Sequence, residues 1–237
     1  VGVYAGPDSS ESGLVLSLDA GNLKSYGGSG TTWTDLSGLG NTGTLVNGVG
    51  YSSANKGSLS FDGVNDYVSV GNITGVTNFT NTNNYTVDFW FYPNAIQSNT
   101  QNEDNDVIEK WSGTNGFPYV FRYLRATQTM QIAAYNGTSS NATTIQISHS
   151  KWWNICGVFN WTSSSLIIYG NAGAVSNSVA LNLTGDITNN SNLNLMFRGN
   201  GLNYTTGNLS SLKIYNRALS ASEISQNFNA TRGRYGI

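Results

Sequence analysis

The chain has one cysteine, three prolines and one histidine in 237 residues, and only 10% of its side chains are formally charged. A single thiol excludes an internal disulfide. Cys156 lies in the apolar run WWNICGVF and is expected to pack as a small hydrophobe. No Cys/His spacing suits zinc. His149, followed by Ser150 and Lys151, reads as a solvated turn, and without a G-x-S-x-G elbow the serines form no hydrolase constellation. Gly27, Gly28 and Gly30 lack the following Lys-Ser/Thr of a phosphate-binding loop. The scarcity of charge, a net −2 and the lack of a basic stripe argue against nucleic acid as a partner. No apolar run approaches the ~18 residues of a membrane-spanning helix. The start, VGVYAGPDSSESG, has neither a basic opening nor an apolar signal core. A secreted chain already cleaved, or one that lost only its initiator methionine, fits equally well.

Asn, Ser, Thr and 28 glycines fill the space left by charge. A chain of this length buries roughly 70–75% of its unfolded surface without a disulfide or metal. Eleven Asn-X-Ser/Thr triplets, among them those at Asn72, Asn78, Asn136 and Asn229, are what such a composition produces by chance, and several fall on expected strands. They are not read as glycosylation sites.

Residues 1–12 read as an arm with little to bury. The segment Leu14, Leu16, Leu18 alternates with polar or smaller residues and opens the first strand. Lys24 to Gly50 reads as a glycine-rich loop whose Trp33, Leu36, Leu39 and Leu45 fold it over one end of a core. Leu59–Asp62 and Tyr67–Val70 are two strands around the tight-turn composition Gly63-Val64-Asn65-Asp66. YTVDFWFY, residues 85–92, is the most apolar strand and therefore central. Further strands are expected at 107–111, 118–124, 130–135, 143–147, 153–159, 166–169, 193–197 and 209–215. Short strands with Gly/Asn/Ser/Thr punctuation imply an all-β, two-sheet antiparallel jelly-roll sandwich. One helix is expected, from about Ala221 to Phe228: Ser220 and Glu223 form a capping box, and Leu219 with Ile224 a hydrophobic staple. Residues 13–230 form one domain, with 231–237 a tail in which Arg232 and Arg234 either fray or dock on a neighbouring subunit.

Several runs carry a family likeness: SLSFDGVNDYVSV, TTWTDLSGLGNTGTLVNG, YTVDFWFYP, KWWNICGVFN and LKIYNRALSASEI. Together, in this order, they resemble the laminin-G-like jelly-roll domains of the concanavalin A-like lectin/glucanase superfamily. That resemblance implies a curved, two-sheet sandwich used for glycan binding, adhesion or, in some branches, glucan hydrolysis. The opening GLVLSLDAGNLKSYGGSGTTWTDLSG and the ending SQNFNATRGRYGI are also similar to virion structural proteins of tailed, especially marine, bacteriophages. This implies a virion-surface location on capsid, tail or fibre, with other virion proteins, further copies of the chain and cell-surface glycans as partners. The alternative is a calcium-assisted lectin module of a secreted or cell-surface protein.

The superfamily's glucanases place two Glu around an Asp on one strand. Of four glutamates here, Glu11 lies in the arm and Glu223 in the cap, which leaves Glu103 and Glu109. On a regular strand these stand ~20 Å apart, too far for the ~5–9.5 Å of glycoside hydrolysis, so no catalytic residue is assigned and the domain is expected to be non-enzymatic. No cofactor is required. Calcium is the one ion whose oxygen ligands are at hand, in Glu103, Asp104, Asp106 or in Asp62, Asp66. The first group serves equally as a solvated acidic loop, and the second closes a turn through backbone N–H groups. For stacking on sugar rings the candidates are Trp111, Tyr119 and Tyr123 beside the acidic loop, and Trp152 at a strand start.

Overall fold

The computed structural model describes residues 9–95, 104–111, 113, 115–199 and 203–237, with backbone alone at 104 and 105. Among these residues the strands are, in chain order, β1 (Leu14–Asp19), β2 (Thr32–Trp33), β3 (Gly43–Val46), β4 (Gly50–Ser52), β5 (Ser58–Asp62), β6 (Tyr67–Gly71), β7 (Tyr85–Pro93) and β8 (Asp104–Glu109). There follow β9 (Phe117–Leu124), β10 (Thr129–Tyr135), β11 (Ser140–Gln146), β12 (Trp153–Asn160), β13 (Ser165–Gly170), β14 (Val175–Ala180), β15 (Leu193–Leu195) and β16 (Thr206–Tyr215). One α-helix, α1 (Ala221–Thr231), closes the chain. The expected all-β, two-sheet antiparallel sandwich with one C-terminal helix is the architecture found.

The first sheet runs β14-β13-β12-β7-β16-β5-β4, with β1 also on β16. The second runs β11-β10-β9-β8-β15-β6-β3-β2. β7 is central, as its apolar sequence demands. It is buried on both faces: Val87, Phe89 and Phe91 point into the sandwich, while Thr86, Asp88 and Trp90 point out, under α1 and its flanking segments. β16 divides its second edge between two partners. Thr206–Leu209 pair with β5 and Ser211–Tyr215 with β1, and the switch falls at a bulge that leaves Ser210 out of register with β7.

Between the sheets lies an aromatic stack. Tyr85 sits 4.4 Å from Phe79 and 4.7 Å from Phe159, nearly parallel to both, and its hydroxyl donates to the Pro118 carbonyl at 2.6 Å. Tyr119 donates to the Thr77 carbonyl at 2.9 Å. Both buried phenols thus avoid the penalty of an unmade hydrogen bond. Cys156 is fully buried with Val158, Tyr215, Leu219 and Ile224, under α1, and burial holds its thiol well above the ordinary range.

Four expectations are corrected. The segment 24–50 is not a covering loop: β2 and β3 join the edge of the second sheet, and Trp33 is core. β5 and β6, expected around one tight turn, lie in different sheets, and the 63–66 segment passes the chain from one to the other. The polar strand β14 lies in a stretch with no expected strand. The tail is not frayed: Arg234 pairs with Asp19 at 2.9 Å, Tyr235 is buried, and the helix extends to Thr231. The capping box does form, with Ser220 N donating to Glu223 Oε2 at 2.9 Å and Glu223 N to Ser220 Oγ at 3.4 Å.

On one side the sheet edges β11 and β14 face each other and are cross-linked, Asn177 donating to the Thr144 carbonyl at 3.2 Å. On the other side the edges are β2 and β4, of two and three residues.

Candidate functional site

A cleft of about 420 Å³ opens where β7 and β12 meet the C-terminal segment, lined by Tyr92, Trp152, Trp153, Tyr235, Asn171 and Lys151. Parity along β7 puts Tyr92 on the same outward face as Trp90. Trp152, just before β12, stands 5.5 Å from Tyr92 and 4.8 Å from Tyr235, at 59° and 46° to their planes. Its indole N–H donates to Asn55 Oδ1 at 3.2 Å, which fixes the ring. Tyr235 is held from beneath by Trp90, 3.9 Å away and nearly parallel, and its hydroxyl donates to Ser210 Oγ at 2.8 Å. Burial pushes that phenol up to about 12, so it stays protonated at neutral pH. Asn171, at the cleft wall, accepts from the backbone N–H of Asn154 through its side-chain oxygen at 2.9 Å, which holds its amide in place. The result is a tilted set of rings with amide, hydroxyl and ammonium donors at the rim. Such a surface stacks on the C–H face of a sugar and bonds its hydroxyls.

Of the four aromatic candidates, only Trp152 lies in this cleft. Tyr119 and Tyr123 are 0% exposed, which overturns their assignment as surface rings. On β9 the residues 119, 121 and 123 point inward and their neighbours 120 and 122 point outward, as a strand's two-residue period requires. Tyr123 meets His149 Nδ1 at 3.2 Å, so that histidine is half-buried against a phenol instead of free in a turn. Trp111 is half-exposed on the outer face of the other sheet. Tyr92 and Tyr235 were missed. Their signal was the parity of Tyr92 with Trp90 and the lone aromatic in RGRYGI.

A second cluster of polar groups occupies the outer face of the second sheet. Asp106 faces Arg122 across β8–β9, and the register then slips so that Val107 has no partner and Ile108 faces Phe121. Val107 and Ile108 therefore both enter the core, and Asp106 and Glu109 emerge on one face although three positions apart. Asp106 is wholly buried and gives one oxygen to Arg122 Nε and the other to Arg198 Nε, both at 2.6 Å. Glu109, equally buried, has no hydrogen-bond partner for either oxygen, and Arg122 Nη2 stands 3.7 Å away. Burial, reinforced by Asp106, raises the Glu109 carboxyl well above the usual range.

Of the calcium candidates, Glu103 and the side chain of Asp104 lie outside the described residues. Asp106 is engaged with the two arginines. Asp62 Oδ1 accepts from Val64 N at 2.7 Å and Asp66 Oδ2 from Asp62 N at 3.4 Å, which is turn closure. Among the described residues no group of three His, Cys, Asp or Glu side chains converges. A larger depression of about 540 Å³ beside Asn136, Asp186 and Asn189 has no aromatic lining. No helix among the described residues is long and apolar enough to cross a membrane.

Two facing antiparallel sheets with an aromatic cleft on an outer face define a lectin-type β-sandwich. The chain belongs to the concanavalin A-like lectin/glucanase superfamily, whose family model matches residues 61–225. Among solved structures, the binding domain of Paraclostridial Mosquitocidal Protein 1 superposes with a TM-score of 0.71 at 18% identity, over 92% of this chain and 52% of that one. The receptor binding domain of botulinum neurotoxin D gives 0.71 at 12% identity, over 92% and 52%. The binding domain of Botulinum Neurotoxin DC in complex with SialylT gives 0.70 at 14%, over 93% and 52%. The chain thus spans about half the length of these structures, and at such identities the likeness is one of fold. No curated protein sequence matches the chain.

Proposed function

We propose that this domain is a non-catalytic attachment module that binds a glycan in the Trp152 cleft. The observation that carries the reading is the convergence of Trp152, Tyr92 and Tyr235 around an open cleft with amide and ammonium groups at its rim. The fold neighbours support it, being binding domains of toxins, one of them in complex with SialylT. The non-catalytic part is supported by the burial of Asp106 and Glu109, which withholds both carboxyls from a glycosidic bond. The setting we propose is the surface of a tailed-phage particle, on the strength of the likeness of the opening and ending sequences alone. There, many copies beside other virion proteins would turn weak single contacts into avidity.

A glycan array read with the isolated domain and its Trp152→Ala variant tests the binding reading. Loss of signal in the variant supports it; unchanged binding by a folded variant overturns it. Repeating the array in EDTA decides whether calcium assists. Finding the chain at fixed stoichiometry in purified particles tests the virion setting separately.

A further inference from the structure

We infer a second binding site, on the opposite face of the sandwich, for the carboxylate of an acidic saccharide, with Arg198 as its anion-binding group. It stands independently of the Trp152 cleft, because the two sites lie on different sheets and share no residue.

Arg198 is fixed from two sides. Its Nε donates to the buried Asp106 at 2.6 Å, and its guanidinium carbon lies 5.7 Å from the centre of the Trp111 ring. A guanidinium held through Nε by one carboxylate keeps its two terminal nitrogens as a parallel donor pair. That pair matches the two oxygens of another carboxylate. The side chain is 15% exposed, so it is held in place and still reachable from solvent.

The carboxylates beside it are withheld from solvent. Asp106 is wholly buried with both oxygens committed to Arg122 and Arg198, and Glu109 is equally buried. Arg198 thus turns a cationic group outward in a protein where charge is otherwise sparse.

A ring platform stands next to it. The Arg198 backbone N–H donates to the Asn203 carbonyl at 3.0 Å, and on the neighbouring rung Phe197 faces Tyr204 with ring centres 4.5 Å apart and nearly parallel. Tyr67 packs on Phe197 at 4.9 Å. Tyr67 and Tyr204 are half-exposed. A pyranose with its ring against these tyrosines and its carboxylate toward Arg198 uses both features, which is the chemistry of a uronate unit.

The test is calorimetric titration with an oligouronate of four units and with the same oligosaccharide after reduction of its carboxyls to alcohols. The expected result is binding of the uronate that weakens as NaCl is raised and little binding of the reduced form. Arg198→Gln should weaken uronate binding about tenfold or more, as loss of a charge-assisted donor pair does. Tyr204→Ala, which leaves the Asp106 pairs intact, gives a second reading should Arg198→Gln fail to fold; it should weaken binding of both forms. Absence of uronate binding, equal binding of the two oligosaccharides, or unchanged affinity in a folded Arg198→Gln overturns the inference. Loss in Trp152→Ala alone would move the ligand to the first cleft and likewise overturn it.

Discussion

Trp90 and Tyr235 lie with ring centres 3.9 Å apart and planes 19° from parallel, joining the central strand to the last turn of the chain. Phe228 covers the indole as well, 5.7 Å away, and Thr231 Oγ1 accepts its N–H at 3.0 Å. The C-terminal segment is therefore part of the sandwich's outer layer and at the same time the wall of the Trp152 cleft.

Tyr235→Ala should cost stability and binding together. Removing a buried aromatic ring costs about 3–5 kcal/mol in a closed core; at this rim, where collapse is easier, the lower end is expected. Tyr235→Phe keeps the stack and loses only the bond to Ser210, about 1 kcal/mol. Urea denaturation of both variants checks the pair.

Glu109→Gln should stabilise the protein at neutral pH and leave it nearly unchanged at pH 4. The folded-state pKa of Glu109 is raised, so above the unfolded value of about 4.3 the unfolded chain releases a proton that the folded one keeps. Stability therefore falls as pH rises through that window. The amide cannot ionise and removes this slope. Denaturation midpoints at pH 4 and pH 8 give the comparison; an equal difference at both would contradict it.

Glu223 works with the opposite sign. Its pKa is lowered to about 2, first by the hydrogen bond from Arg217 and then by the cap at Ser220. Its contribution is present above the unfolded value of about 4.3 and is lost as pH falls toward 2. Glu223→Gln should thus lower the melting temperature at pH 7 and have no effect at pH 2.

Lys110→Met should destabilise by about 2 kcal/mol or more, because buried acceptors would be left unpaired. The wholly buried ammonium is held by neutral oxygens of Asn72 and Asn189 and by the Ser191 carbonyl. Burial has already brought its pKa down to about 8. Chemical denaturation at pH 7 measures the loss.

Gly157→Ala should cost about 1–3 kcal/mol by overpacking. A Cβ there would meet the Phe121 ring at 2.5 Å. The double variant with Phe121→Leu should recover part of the loss, which a purely local backbone effect would not allow.

The sequence was most legible where structure is local. Ser220 and Glu223 announce their helix because a capping box is complete within four residues, and YTVDFWFYP announces a two-sided buried strand by having few polar positions. The turn at 63–66 was legible as a turn but not as to what it joins, because the same Gly-Asn-Asp chemistry serves a hairpin or a passage between sheets. Only partners distant in sequence decide between them: β16 for β5 and β3 and β15 for β6. Tyr119 and Tyr123 were readable as inward from the every-other aromatic spacing of FPYVFRYL, yet their nearness to the acidic segment drew them outward. The slip at Val107 had one trace, two apolar residues between Asp106 and Glu109, and strand period alone could not reveal it. The cleft's third ring was hidden because Tyr235 reaches Trp152 only through the fold.

β2 and β4 offer only two and three residues of strand edge, while the longer edges β11 and β14 lie against each other and are tied by Asn177. Copies crowded together through the β2–β4 flank would find little backbone to borrow, so on that side neighbouring domains should stay separate beads.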